Sequence, residues 1–347
     1  MSSLRKLLQS NFIIRLTHWE YWPFGIVQFP FFIYWLWLSL RARSILFFSA
    51  SNPGILMGGM FGESKYQVLK LIPEQFTPKT VLVQYPFSYR QVLAVLRESG
   101  FEFPVIFKPD FLGERGFMVK RIFNEADVEA YVLKLKANFI IQEFVDLPVE
   151  CGVFYTRFPK DSKGSVTSLV LKEMLTVTGN GVSTLRELIQ DKPRAKLQWG
   201  TLKEVYAENL SDVLPAGKTM ELNAIGNHCL GTKFLNGEHY INGKLSNTFD
   251  GISKQINGFY FGRFDLRCAS LEDLYEGRIK IMELNGCGAE PAHIYQPGFS
   301  LWKALGTLTT HWKNMYEISV QNHKRGVPYL SLKEGKRIYK QFKAALQ

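Results

Sequence analysis

The chain has 347 residues, 46% hydrophobic and 21% charged, the proportions of an ordinary globular protein with room for two or three subdomains. A net charge of +11 favours anionic partners such as nucleotides, acidic substrates or anionic lipids, while no zinc-finger spacing or basic recognition helix speaks for nucleic acid. Four cysteines, Cys151, Cys229, Cys268 and Cys287, without a C-x-x-C pair, fit reduced thiols rather than a disulfide framework.

The front of the chain is crowded with aromatics, among them Trp19, Trp22, Phe29, Phe32, Trp35 and Trp37. Residues 21–40 carry no charge, and that run matches the ~20 residues that cross a bilayer core as a helix. Pro23 and Pro30 interrupt it, and basic residues lie on both sides, so charge gives no orientation. The expected element is amphipathic or re-entrant and lies in one leaflet at the cytoplasmic face of a membrane. The competing reading is a buried hairpin or dimer seam, which leaves the chain simply cytoplasmic. Arg41 and Arg43 separate the run from Ser49, Ala50 and Ser51, against a cleaved secretory signal.

After Ser49 the pattern changes. Residues 63–71 have helical spacing, 81–84 read as a short strand, and 89–99 as a helix stopped by Gly100. Residues 103–109 form a buried strand, 117–122 return as another, and Asn124 caps a helix to Lys136. An apolar strand covers 139–145, and longer antiparallel strands cover 149–158 and 165–178. Helices follow at 183–190, 196–210 and 247–257, strands at 262–267 and 280–285, and helices at 299–319 and 331–346. The mixture is α+β and lacks regular βαβ alternation.

No G-x-x-x-x-G-K-[ST] or G-x-G-x-x-G motif is present, but the parts of a nucleotide site occur in another order. Lys108 ends a buried strand, where a lysine needs an anionic partner. The turn after it holds Gly113, Arg115 and Gly116, whose amides can cover phosphates, although plain hairpins share that pattern. Glu143 ends an apolar strand and Glu150 follows seven residues later. There an extended backbone can meet an adenine edge and a carboxylate can take ribose hydroxyls, or both acids are simply solvated. Arg263 and Asp265 share one face of a strand, and Glu283 and Asn285 share one face of the next. Asp, Glu and Asn oxygens suit Mg²⁺.

In order and spacing, residues 63–294 resemble the ATP-grasp superfamily, in particular its D-alanine–D-alanine ligase and cyanophycin-synthetase-like branches. The segments that carry the likeness are P-V-I-F-K-P around Lys108, the two glutamates, G-R-F-D, E-L-N and the T-G-N-G-V-S-T-L-R-E-L-I run from Thr178. The resemblance implies an α+β fold in which two subdomains with antiparallel sheets clasp ATP. The expected divisions are a membrane-associating segment (1–50), a partial linker domain (51–100), a small subdomain (101–180) and a large one with the metal site (181–347).

It implies that Lys65, Lys108 and Lys172 reach phosphates, that the loop at Gly113, Arg115 and Gly116 closes over them, and that Glu143, the Val145 backbone and Glu150 hold adenine and ribose. Asp265, Glu283 and Asn285 then bind Mg²⁺ or Mn²⁺, and Arg263 stabilises the reacting oxyanion. The loop residues Asn227, His228 and Gly231, together with His293, are candidate substrate contacts; each is equally readable as ordinary loop or core. Against the resemblance, the usual N-terminal substrate domain is absent or shrunken, with the aromatic segment in its place, and residues 270–278 read as an inserted loop. The implied reaction is ADP-forming ligation of a carboxylate to an amine, with a lipid-linked or envelope-related acceptor at a membrane surface. A kinase that stops at phosphate transfer and a non-catalytic scaffold are the alternatives.

Overall fold

The computed structural model describes residues 11–111, 116–223 and 225–345. Its front comprises α1 (Asn11–Thr17), α2 (Phe24–Ala42) and the short α3 (Lys65–Leu69). Pro30 does not break α2, which continues through it for 19 residues, contrary to the interruption expected. The proline removes the bond to the Ile26 carbonyl, and packing of Val27, Phe31 and Leu38 into the core outweighs that single loss. Pro23 stands at the N-cap, outside the helix.

Four strands, β1 (Thr80–Val83), β2 (Val105–Pro109), β3 (Lys120–Ile122) and β4 (Phe139–Glu143), make an antiparallel sheet in the order β1-β4-β2-β3. The period-2 alternation of β2 decides its two roles. Val105 and Phe107 pack with Phe139 and Ile141 against α4 (Tyr89–Glu98) and α5 (Glu125–Val132). Lys108, one residue on, points the opposite way. A reciprocal Ser88–Gln91 capping box starts α4 and the Asn124 side chain starts α5, satisfying amides that have no partner within the helix.

The second sheet contains β5 (Val149–Thr156), β6 (Ser165–Glu173), β9 (Lys233–Asn236), β10 (Phe261–Cys268) and β11 (Ile279–Asn285), in the order β11-β10-β5-β6-β9. Between β6 and β9 the chain forms a two-stranded ribbon, β7 (Leu175–Thr178) with β8 (Thr219–Asn223), and the helices α6 (Leu185–Asp191), α7 (Pro193–Lys196) and α8 (Trp199–Val205). Behind the sheet, α9 (Gly243–Lys254) and α10 (Leu271–Glu276) cover Val153, Tyr155, Phe264 and Leu266. On the other face, α11 (Leu301–Lys324) packs Met315 and Ile318 on Phe154 and Phe261, and α12 (Leu332–Ala345) adds Ile338.

Several boundaries differ from those expected. β1 and α4 belong with the small sheet although they precede residue 101, and β5 and β6 belong with the large one although they precede residue 181. Hydrogen-bond partners, set by tertiary pairing, decide membership. The expected 270–278 loop holds α10, capped by Ser270 and stopped by left-handed Gly277. The strand expected over 165–178 divides into β6 and β7, and the helix expected over 196–210 is reduced to α8.

Asn52 ties the front of the chain to the start of β10. It is fully buried, its Oδ1 accepts from the Tyr260 and Phe261 amides at 2.9 Å, and its Nδ2 donates to Gly58 O (2.9 Å) and Phe261 O (2.8 Å). Gly58 and Gly59, both at positive φ, then pass so close to Gly286 that a Cβ on Gly286 would sit 2.4 Å from the Gly58 carbonyl oxygen.

Candidate active site

The two sheets meet where Lys108 Nζ donates to the Met282 carbonyl of β11 at 2.9 Å, with Gln142 Nε2 reaching the same oxygen at 3.4 Å. Burial pushes the Lys108 ammonium down to about 8, Lys65 adds to that, and Glu283 and Asp265 work against it. Lys65 sits in the first turn of α3 and pairs with Glu283. Asp110 aims it, because its backbone oxygen accepts Lys65 N (3.1 Å) while its Oδ1 accepts Ser64 Oγ and Tyr66 N, each at 2.9 Å. A carboxylate at a helix N-terminus is favourably placed.

On the large sheet, register brings the functional groups to one face. Arg263 lies opposite Asn285, Asp265 opposite Glu283 and Gly152, and Glu150 opposite Lys172 and Arg267. Asp265 accepts from Arg263 (3.0 Å), Lys172 (3.1 Å) and Asn285 Nδ2 (2.8 Å). Burial alone would raise its pKa, but Arg263 and Lys172 hold it down to about 2. Glu283 is likewise lowered, burial being overcome by Lys65 and Lys108. Lys172 is raised, burial being overcome by Asp265 and Glu150. Gly152 makes this convergence possible: a Cβ there would lie 2.9 Å from Val170, 3.1 Å from Arg263 Cδ and 3.2 Å from Asp265 Oδ1.

Glu150 receives Lys172 (3.2 Å) and Arg267 (2.8 Å), and Arg267 also donates to the Val145 carbonyl at 3.0 Å. Glu143 stands apart, on the exposed end of β4, its carboxylate accepting Lys79 N at 3.2 Å. The loop at 225–231 crosses over Glu150 and Lys172 at Gly226 and meets Gly116 through Leu230. Gly113 and Arg115 lie outside the described residues. Asn227 caps its own loop by accepting Cys229 N, and Gly231 turns it at φ 95°. His228 packs against Tyr21, Phe234 and Tyr295. Burial, helped by Arg194, lowers its pKa to about 3. His293 bonds Ser168 Oγ at 2.6 Å beneath the site.

Three contributors escaped the sequence reading: Asp110, Gly152 and Glu290. Glu290 lies five residues after Asn285 and accepts from Gln28 of α2 and from Tyr295 OH. Its own backbone oxygen accepts Arg263 NH1 at 3.1 Å. Asp110 was visible as an acid two residues after Lys108, but Gln28 carries no local signal, since 262 residues separate it from Glu290.

Asp265, Glu283 and Asn285 supply two carboxylates and an amide, oxygen donors of the kind Mg²⁺ takes beside phosphate oxygens. Among the described residues no three His, Cys, Asp or Glu side chains gather to hold a metal ion. The oxygens of Asp265, Glu283 and Asn285 are of a kind that fits a metal already carrying phosphate oxygens, and the lysines around them match phosphate charge.

No family model matches the chain, and no curated protein matches it in sequence. Among solved structures it is similar to a bifunctional glutathione synthetase from Pasteurella multocida, with 16% identity over 72% of this chain and TM-score 0.36. The chain spans only 36% of that protein's length. It is also similar to a D-alanine–D-alanine ligase from Bacillus anthracis, with 13% identity over 79% of this chain and 72% of that one, TM-score 0.42. The VanG D-Ala:D-Ser ligase from Enterococcus faecalis gives 14% identity over 74% and 62% of the two chains, TM-score 0.41. With two antiparallel sheets meeting at Lys108 and one face lined by Lys172, Arg263, Asp265, Glu283 and Asn285, the chain has an α+β fold.

Proposed function

We propose that the protein is an ATP- and Mg²⁺-dependent carboxylate–amine ligase that releases ADP. One observation carries this reading: Lys65, Lys108, Lys172 and Arg263, drawn from both sheets and the helix between them, converge on Asp265 and Glu283 in facing register. Few structural networks bury so many cations around two acids, since each ion loses its hydration. A triphosphate supplies the anionic charge that the lysines match.

In this reading Lys108 and Lys172 hold the phosphates, with Lys65 beside them. Asp265, Glu283 and Asn285 would hold the metal, which supplies charge neutralisation between the phosphates. A substrate carboxylate oxygen attacks the γ-phosphorus and ADP leaves, giving an acylphosphate. The amine nitrogen then attacks the acyl carbon, the C–N bond forms, the C–O bond to phosphate breaks, and inorganic phosphate departs with that electron pair while the nitrogen gives up a proton. Arg263 faces the oxyanion of this step, a role in which one donor accounts for roughly 10²–10³ in rate. The loop over Glu150 and Lys172 keeps water from the acylphosphate.

We further place this chemistry at the cytoplasmic face of a membrane, with a lipid-linked or envelope acceptor. Among the described residues no helix is long and apolar enough to cross a bilayer. The support is the outward face of α2, where Ile26, Phe29, Ile33, Trp37 and Leu40 are 59%, 64%, 55%, 47% and 78% exposed.

The test is ADP release from the full chain over a panel of carboxylates and amines, with Asp265→Asn as control. ADP formation that requires both an acid and an amine, and is lost in Asp265→Asn, is the expected result. ADP formed with a single substrate and no amine would replace the ligase with a kinase. Nucleotide binding without turnover would leave a scaffold.

A further inference from the structure

Glu290 is a half-buried carboxylate without a cationic partner among the described residues. Both oxygens accept from neutral donors, Gln28 Nε2 and Tyr295 OH. Among the described residues no lysine, arginine or histidine nitrogen lies within ion-pair distance of it. This contrasts with Asp265, Glu283 and Glu150, each directly paired with a basic side chain. A carboxylate in this situation either takes up a proton or awaits a cation. Burial pushes the Glu290 carboxyl up, against the Tyr295 hydrogen bond and the field of Arg263.

Position then narrows the identity of that cation. The Glu290 carbonyl accepts Arg263 Nη1 at 3.1 Å, so the residue that carries the carboxylate is bonded directly to the guanidinium assigned to the oxyanion. Two donors leave about two of the carboxylate's four acceptor positions open. Around it lie Tyr295, packed on Trp19 (5.7 Å) and His228 (5.5 Å), and beyond His228 the Tyr21 ring. Among the described residues Glu290 is the carboxylate bonded to this aromatic wall, through Tyr295, while Glu20 and Arg194 lie beside Tyr21, so a small cation bearing a carbon substituent suits the lining better than a metal ion.

We infer that Glu290, held by Gln28 and Tyr295 beside Arg263, seats the amine substrate, which binds there as its ammonium ion. The inference rests on the ligase reading and adds the subsite and charge state of the nucleophile. Glu290 first pairs with the ammonium and then accepts one of its protons, which frees the nitrogen lone pair for the acyl carbon. The C–N bond forms as phosphate leaves with the C–O bonding pair, and the second amine proton passes to the departing phosphate or to water. Gln28 and Tyr295 are positioning residues. Through Gln28 the front helix α2 becomes part of the amine subsite.

The experiment compares two nucleophiles in the ADP-release assay, at saturating MgATP and with the same carboxylic-acid mixture. Ethylamine is almost wholly protonated at neutral pH, whereas hydroxylamine is almost wholly uncharged. In Glu290→Gln the apparent KM for ethylamine is expected to rise at least tenfold more than that for hydroxylamine, and Glu290→Asp to recover part of the difference. Tyr295→Phe, which keeps the ring packing, shifts the same ratio by a smaller factor. Calorimetric binding of Mg-AMP-PNP to each variant shows that the nucleotide site is still folded. An equal rise for both nucleophiles, or none, overturns the amine seat while the ligase reading stands. ADP release that is independent of any amine overturns both.

Discussion

Asp265 and Lys172 are each unstable alone and stable together. Burial raises one pKa and lowers the other; Arg263 and then Lys172 reverse the shift of Asp265, and Asp265 and then Glu150 reverse that of Lys172. Arg263 completes the arrangement with Nε and Nη2 both on Asp265, at 3.2 and 3.0 Å. That fork fixes the guanidinium plane, which an ammonium cannot reproduce. Arg263→Lys is therefore expected to lower ADP release at saturating MgATP by roughly 100-fold, the loss typical of one oxyanion donor, although the charge is kept. A rate within threefold of the parent would remove Arg263 from the reaction. Lys108, Asp265, Glu283 and Asn285 were legible as strand positions because period-2 alternation acts locally, whereas their meeting is decided by strand pairing. Glu143 ends β4, as its sequence context suggested, and is exposed there with its carboxylate on the Lys79 amide. Gly152 was invisible, since its contribution is an absent side chain, meaningful only once β5, β6 and β10 are paired.

At the scale of elements, α2 is the most informative. Successive residues of a helix turn by about 100°, which puts Val27, Phe31 and Leu38 on one side and Ile26, Phe29, Ile33, Trp37 and Leu40 on the other. The first set is buried and the second exposed. Such a helix is apolar all round, and in a soluble protein its open face should find an apolar partner. Arg41 and Arg43 at its end, with Arg41 lying 4.9 Å over the Trp37 ring, add attraction to anionic headgroups. Removing the segment would also remove Gln28 and the α2 core face, so surface substitutions give the cleaner measurement. Phe29→Glu with Ile33→Glu is expected to cut co-sedimentation with phosphatidylglycerol–phosphatidylcholine vesicles at least tenfold, and to leave the unfolding midpoint near that of the parent. Failure of the parent to sediment with those vesicles would sink the membrane placement.

Across the whole molecule, acid sensitivity should start with histidines rather than carboxylates. His311 is buried between Phe154 and Phe261, at 5.3 and 4.8 Å between ring centres, and burial lowers its pKa to about 3. The unfolded chain binds that proton near pH 6.5 and the folded chain does not. Stability is thus complete above pH 6.5 and falls as pH drops below it, by about 1.4 kcal/mol per pH unit for His311 until the folded group also titrates. His228, lowered to about 3 as well, acts in the same direction. Urea midpoints between pH 7.5 and 5 should follow this slope in the parent, and His311→Phe should flatten it. Parallel slopes would show that the ring is not held neutral.

The sequence by itself determined the α+β class and most strands and helices, because capping signals and period-2 alternation act within a few residues of their cause. It did not determine which sheet each strand joins, the continuity of α2 through Pro30, or the meeting of Gln28 with Glu290. Those outcomes were decided by tertiary structure. Strand pairing, burial of one helix face and the field around a buried carboxylate are sums over residues far apart in the chain, and no local window contains them.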